Sequence, residues 1–252
     1  MGTDSVTPFG ALGVEELAAR WGVPRVVWRD QVRSTLDLGH ELAAEGAPDG
    51  TVIIADEQIE GRGRRGRPWA SRRGTGIWLT YLMCQDHPRD VGVLSLRVGL
   101  TVARSIPEIG PHVRLKWPND IVLYDKKLGG VLCEARWEGA ALDWVVVGVG
   151  INVHGPLPVP LVDSAIAVDE VVDGISRLAL LDQFVPSLRQ MPREANLTPD
   201  ECQEFQDRDW LVGRELSEPV KGIARGVEPD GALLVETERG VERIVGGTVV
   251  TA

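Results

Sequence analysis

"EQIEGRGRRGRPWASRRGTGIWLTYLMC", Glu57–Cys84, is the stretch on which the fold turns. Gly61, Gly63 and Gly66 satisfy G-x-G-x-x-G, which in a dinucleotide-binding fold opens directly into a helix. Here Pro68, Ser71, Gly74 and Gly76 follow, and then "GIWLTYLMC", a β-branched and aromatic run that reads as a strand. The preceding "TVIIADEQ" is another strand, so the glycine loop joins strand to strand. A kinase loop is excluded by the absence of V-A-I-K, H-R-D and D-F-G, and a phosphate-binding P-loop by the absence of Gly-Lys-Ser/Thr. The fold is therefore α+β, with a mixed sheet, rather than a regular βαβ series.

Outward from the loop the same grammar continues. "VEELAARW" has helical apolar spacing and stops at Gly22 before Pro24. "ELAARWGVP" looks like half of a helix-turn-helix, but "RVVWRD" reads as a strand where a recognition helix would stand. Ser34 or Thr35 caps a helix running through Glu45, closed by the turn residues "APDG". "VLSLRVGLTVARSI" is helical, and "HVRLKW", "DIVLY", "GGVLCEARW" and "DWVVVGVGINV" are strands with short turns. After "HGPLPVPLV" the pattern is helical and polar, roughly Val168 to Trp210, and from Gly213 short strands alternate with "EPDG", "ERG" and "GG". A boundary near Leu211 separates a main domain, 1–211, from a small barrel-like appendage, 212–252.

The loop packs four arginines and three glycines into Gly61–Arg67 of a chain whose net charge is -10. A chain this acidic does not hold nucleic acid by bulk charge, so the arginines serve a small anion and no DNA partner is expected. Cys84, Cys133 and Cys202 are odd in number and widely spaced, which fits reduced thiols in a cytoplasmic protein. His40, His87, His112 and His154 have no metal-ligand spacing. "MGTDSVTPFG" lacks the basic and apolar regions of a signal peptide, and no apolar run reaches the ~18 residues of a membrane span.

"EQIEGRGRRGRPW", "KWPND" (Lys116–Asp120), "KKLGGVLCE" (Lys126–Glu134) and "VVGVGINV" (Val146–Val153) follow one another in an order and spacing that resembles the biotin–protein ligase family. The resemblance extends to the tail through "GIARGVEPDGALLVETERG". It implies a class II synthetase-like catalytic domain covered by helices, with a C-terminal SH3-like β-barrel. It also implies a reaction in which ATP, with Mg2+, activates biotin as biotinyl-5′-AMP, after which a lysine of a biotin carboxyl carrier protein takes the biotinyl group. The chemistry suits the residues: a carboxylate and a triphosphate repel, and preorganised positive charge must bring them together.

Carried over by motif, the resemblance assigns biotin's ureido ring to Ser34, Thr35 and Gln58. Arg62, Gly63 and Arg64 match the biotin- and adenylate-binding segment, with Arg64 retaining the intermediate. Arg65, Arg67 and Lys116 add charge for ATP, and Trp69 matches the aromatic on which adenine stacks. Lys127 stands beside biotin's carboxylate and the α-phosphate; Lys127 and Arg64 are the catalytic candidates. Asn119 and Asp120 fall near the phosphates, Asp120 as a candidate Mg2+ contact. Gly130, Gly148, Gly150 and Asn152 match the glycine-lined wall and its polar neighbour. The family's sheets pair across a two-fold axis, which leaves a homodimer open.

Each residue has a plainer reading. A Ser-Thr pair is usually a helix cap, a lysine in a "DKK" turn is usually solvated, and Gly148 and Gly150 can mark close strand packing. Leu36 stands where the family has asparagine, removing an amide from ureido recognition, and Glu60 adds a negative charge just before the loop. No winged DNA-binding domain is expected, because the ~25 residues before the first strand cannot build one. Two alternatives remain: a lipoate–protein ligase, and a protein that binds biotin or its adenylate without transferring it.

Overall fold

The computed structural model describes residues 12–84 and 91–252; the stretch read for a signal peptide and His87 lie outside them. Val14–Trp21 (α1) stops on Gly22 at φ 65, a left-handed cap that costs glycine little. Val26–Val32 (β1) follows, then Thr35–Ala44 (α2), capped by Ser34, whose Oγ accepts from Leu36 N. Val52–Gln58 (β2) and Gly76–Met83 (β3) flank the arginine loop, and every residue of β3 is buried. Gly92–Arg104 (α3) precedes the strands Val113–Lys116 (β4), Asp120–Leu123 (β5), Lys126–Glu138 (β6) and Ala141–Asn152 (β7).

These seven strands form one sheet in the order β1-β2-β3-β7-β6-β5-β4. β1 and β2 run parallel across α2, and the other neighbours are antiparallel, so the sheet is mixed. The helical and polar pattern read over roughly Val168–Trp210 holds two helices, Arg177–Arg189 (α4) and Pro199–Arg208 (α5). The extended stretch between them contains Pro192, which cannot continue a helical hydrogen-bond ladder.

Strand alternation explains where space is left. Val145, Val147, Val149 and Ile151 of β7 point to the face covered by residues of α1, α3, α4 and α5. Val146 points to the other face, where Leu36, Leu42 and Ala43 of α2 meet Ile53 and Leu82. Further along that second face β7 carries Gly148 and Gly150 instead of side chains, and β6 carries Gly130. The volume those glycines leave is the cleft described below.

Glu215–Glu218 (β8), Gly222–Val227 (β9), Leu233–Thr237 (β10), Gly240–Ile244 (β11) and Val250–Thr251 (β12) make a second, antiparallel sheet in the order β11-β10-β9-β8-β12. Its edges do not pair with each other among the described residues, so the expected SH3-like barrel is an open sheet. β12 is only two residues long and β11 is almost wholly exposed, too little strand to close a ring. Leu216, Ala224, Leu233, Val235 and Val249 of this region join the same apolar cluster as Leu17 and Phe205. No described helix is long and apolar enough to cross a membrane.

β5 and β6 are joined by Tyr124 and Asp125 alone, both left-handed at φ 47 and 62. Such a turn is normally Asn-Gly; aspartate tolerates the left-handed conformation, but it costs a residue such as tyrosine about 1–2 kcal/mol.

Candidate functional site

The glycine-floored space is a cleft of ≈ 400 Å3. It is lined by every residue given a catalytic or ligand-binding role from the sequence except Ser34: Thr35, Gln58, Arg62, Gly63, Arg64, Arg65, Arg67, Trp69, Lys116, Asn119, Asp120, Lys127, Gly130, Gly148, Gly150 and Asn152. Five arginines and two lysines line it, Arg72 among them, against the single carboxylate of Asp120. An acidic protein thus concentrates positive charge in one concave place, where field lines focus.

The arginine loop is a folded hairpin. Gly63 N donates to Arg67 O at 2.8 Å and Trp69 N to Gly61 O at 2.7 Å. A Cβ on Gly61 would lie 2.6 Å from Trp69 O, so only glycine permits the crossing. Arg65 takes the left-handed conformation at φ 58, an uncommon one for a non-glycine residue. Arg62 turns inward and is already engaged: two nitrogens reach Glu134 at 2.9 and 3.1 Å, and Nη1 reaches Asp37 at 2.5 Å. Its side chain ties the loop to β6 and α2. Arg64 differs. Its Nη1 donates to Gly247 O at 3.1 Å and Asn119 Oδ1 at 3.5 Å, with no carboxylate in ion-pair range among the described residues. Burial, and then Arg65 nearby, lower its pKa, and the charge of Asp120 opposes them only in part. Arg65 and Arg67 are exposed at the rim.

A directed chain of hydrogen bonds fixes the opposite corner. Thr80 Oγ1 donates to Thr35 Oγ1 at 2.9 Å, and Thr35 donates through N and Oγ1 to Gln58 Oε1 at 2.8 and 3.1 Å. Gln58 Nε2 donates to Ser71 Oγ at 2.8 Å, and Ser71 to Trp69 O at 3.3 Å. Ser34 remains a buried helix cap, which is the plainer of its two readings. Leu36 lies over Gly148, where an added Cβ would come within 2.9 Å of it, so an apolar group occupies the position of the missing amide. Glu60 pairs at 2.5 Å with Arg33, so its carboxylate is spent outside the loop.

On the floor, the Trp69 indole packs so closely on the β7 backbone that a Cβ at Gly150 would lie 2.7 Å from it. Among the described residues Trp69 Nε1 is buried without a partner, and Lys127 Nζ stands 5.1 Å from its ring centroid. Lys127 pairs with Asp120 at 2.6 Å. Asn119 Nδ2 donates to Val131 O at 2.9 Å, which aims its Oδ1 at Arg64. Lys116 is partly desolvated, and burial lowers its pKa. Asn152 spends its amide on backbone, donating to Ile166 O at 3.2 Å and Lys127 O at 3.4 Å.

Sequence reading missed the partners. Glu134 has its carboxyl held down to about 2, first by the hydrogen bond from His40 and then by Arg62. Trp144 Nε1 donates to His40 Nδ1 at 3.0 Å, so Nε2 carries the proton that goes to Glu134 at 3.1 Å. Glu134 closes the "GGVLCE" run and was visible in that sense; Asp37 and His40 carried no signal. Nor did Thr248 and Val249, which reach the cleft from the C-terminal sheet.

Residues 28–152 match the biotin/lipoate A/B protein ligase family, and residues 212–251 match the biotin protein ligase C-terminal domain. A bifunctional ligase/repressor of Bacillus subtilis is 30% identical over 237 residues, covering 89% of this chain and 73% of that protein. A biotin–[acetyl-CoA-carboxylase] ligase of Mycobacterium tuberculosis is 31% identical over 242 residues, covering 88% and 89% respectively. Among solved structures, the biotin protein ligase of Aquifex aeolicus in complex with biotin and ATP superposes with a TM-score of 0.73 at 27% identity, covering 91% of this chain and 99% of that one.

Proposed function

The chain belongs to the biotin protein ligase family, and from that premise we propose that its cleft joins biotin to ATP and then transfers the biotinyl group to one lysine of a biotin carboxyl carrier protein, such as that of acetyl-CoA carboxylase. The observation that carries the reading is the convergence of four separate sequence motifs on a single cationic cleft with a glycine floor.

In the first step a biotin carboxylate oxygen attacks the α-phosphorus, the bond to the β-phosphate breaks, and pyrophosphate leaves. Both reactants are anions, so the barrier is lowered by fixed positive charge and by excluded water. Lys127 stands beside the glycine wall, where it meets both the carboxylate and the α-phosphate. Arg64, desolvated and held only by neutral acceptors, exchanges those acceptors for phosphate oxygens and keeps the mixed anhydride in place. Trp69 offers its ring to the adenine. In the second step the neutral lysine amine attacks the acyl carbon, AMP leaves with the bonding electrons, and the amine gives up a proton as the amide forms.

The residues fit Mg2+ in one manner only. Among the described residues no group of three or more acidic, histidine or cysteine side chains could hold a metal, and Asp120 is the cleft's lone carboxylate. Mg2+ characteristically binds through one or two carboxylates together with substrate phosphates. Asp120 would hold it, and bound Mg2+ would neutralise phosphate charge. Three free cysteines fit a cytoplasmic setting. Residues 1–211 serve as the catalytic domain and 212–252 as an appendage that contributes Thr248 and Val249 to the cleft.

The test supplies ATP, Mg2+ and either biotin or lipoate, follows pyrophosphate, and then adds a carrier domain. Biotin-dependent release followed by labelling of one carrier lysine is expected. Turnover with lipoate alone, or an adenylate that never leaves for any carrier, overturns the reading.

A further inference from the structure

Trp210 stands between α5 and the C-terminal sheet, outside the cleft, and three side chains converge on it. Its indole N–H donates to Asp125 Oδ1 at 2.6 Å. Lys116 Nζ, a cleft cation, lies 4.7 Å from the ring centroid, and the Arg214 guanidinium lies 3.8 Å from it. Trp210 N also donates to Leu115 O at 3.0 Å, which fastens the residue to β4. Arg214 closes the arrangement, donating to Asp125 Oδ1 at 3.2 Å and to Trp210 O at 2.7 Å.

Asp125 is one of the two left-handed residues of the β5–β6 turn, at φ 62, with Tyr124 at φ 47. Tyrosine rarely adopts that backbone, although aspartate tolerates it, and such a strained turn persists only where its surroundings over-determine it. Trp210 and Arg214 are those surroundings. The hairpin they hold presents Asp120 at its start and Lys127 on its return strand, 2.6 Å apart at the cleft floor. One indole therefore touches two parts of the site: its face meets Lys116 and its N–H reaches the turn that sets Lys127.

We propose that Trp210 and Asp125 are positioning residues for adenylation, Trp210 orienting the Lys116 ammonium through its ring and fixing the Lys127 hairpin through Asp125. The inference rests on the reading of the cleft as an adenylation site. Neither residue lines the cleft, so any kinetic effect must travel through the lysines.

Four variants separate the two links. Asp125→Gly relaxes the turn while deleting the anchor; kcat for biotin-dependent pyrophosphate release should fall about tenfold with the melting temperature unchanged or raised. Asp125→Asn keeps an oxygen acceptor and tolerates the left-handed backbone, and should stay within about twofold of the unaltered protein. Trp210→Phe keeps the ring and drops the N–H; it should reproduce the Asp125→Gly loss of kcat with the KM for ATP unchanged. Trp210→Leu removes both links and should also raise that KM by about tenfold. Unaltered kcat in Asp125→Gly and Trp210→Phe overturns the proposal, whatever happens to stability. Competitive acetylation of the lysine amines gives a readout without turnover. Lys116 should become more reactive in Trp210→Leu but not in Asp125→Gly, and equal reactivity in every variant overturns the proposal even if the unaltered protein makes no adenylate. Failure of the unaltered protein to activate biotin would instead strike the functional reading alone.

Discussion

Lys127 Nζ lies 2.6 Å from Asp120 Oδ1, so the cation facing the glycine wall is partnered by the one carboxylate that lines the cleft among the described residues. Removing the lysine does more than delete a positive charge, because it also leaves an uncompensated negative one where two anions must meet. Lys127→Ala should therefore lower biotinyl-AMP formation by roughly 10²–10³-fold. Pyrophosphate release in a single turnover is the measurement, and a Lys127→Ala protein at full rate would remove the lysine from its assigned place.

Arg64 makes its hydrogen bonds with neutral oxygens, and among the described residues no carboxylate lies in ion-pair range of it. Arg64→Gly should still activate biotin, because Lys127 is untouched, but should release the adenylate about 10–100 times faster. Free biotinyl-AMP in the filtrate, and biotin on lysines of an unrelated bystander protein, are the signals. An unchanged dissociation rate would contradict the retention role.

Glu134 is held at about 2, below the ordinary 4.5, by His40 and Arg62. A depressed carboxyl contributes stability that is present above its unfolded value and is lost as pH falls from about 4.5 towards 2. Glu134→Gln should flatten that acid limb in a series of calorimetric melting temperatures. At pH 7 it should lower the melting temperature by about 2–4 °C, the shift that about 1 kcal/mol produces in a protein of this size. Parallel curves for the two proteins would deny the linkage.

Asp209 moves the opposite way. Burial pushes its carboxyl up from 3.8 to about 6, and among the described residues its Oδ2 has no hydrogen-bond partner. The folded state therefore holds a proton that the unfolded chain gives up, and stability falls as pH rises from about 4 to 6. Asp209→Asn should melt about 2–4 °C above the unaltered protein at pH 7.5, with the gap closing below pH 4. A variant that melts lower at pH 7.5 would mean that the ionised oxygen has a partner in solution.

Much of the fold was legible because its signals are local. Gly22 before Pro24 stops α1, Ser34 caps α2, and the unbroken apolar run of β3 announces a strand buried on both faces. The gathering of the motifs was legible too, since Gly148 and Gly150 mark where β7 lacks side chains. What escaped was long-range. Arg62 meets Asp37 and Glu134 across 25 and 72 residues, so nothing near the loop reveals that this arginine is committed to carboxylates. The open C-terminal sheet was misread as a barrel because strand content is visible in a sequence and edge closure is not.

The chain from Thr80 through Thr35 to Gln58 assigns every proton along it. With Gln58 Oε1 filled by two donors and one amide hydrogen given to Ser71, that corner has a single hydrogen left to offer and no free lone pair on the amide. It is a one-way valve for polarity: a guest must bring an oxygen or a bare nitrogen to Gln58, and a guest that turns an N–H towards it meets another hydrogen and is refused.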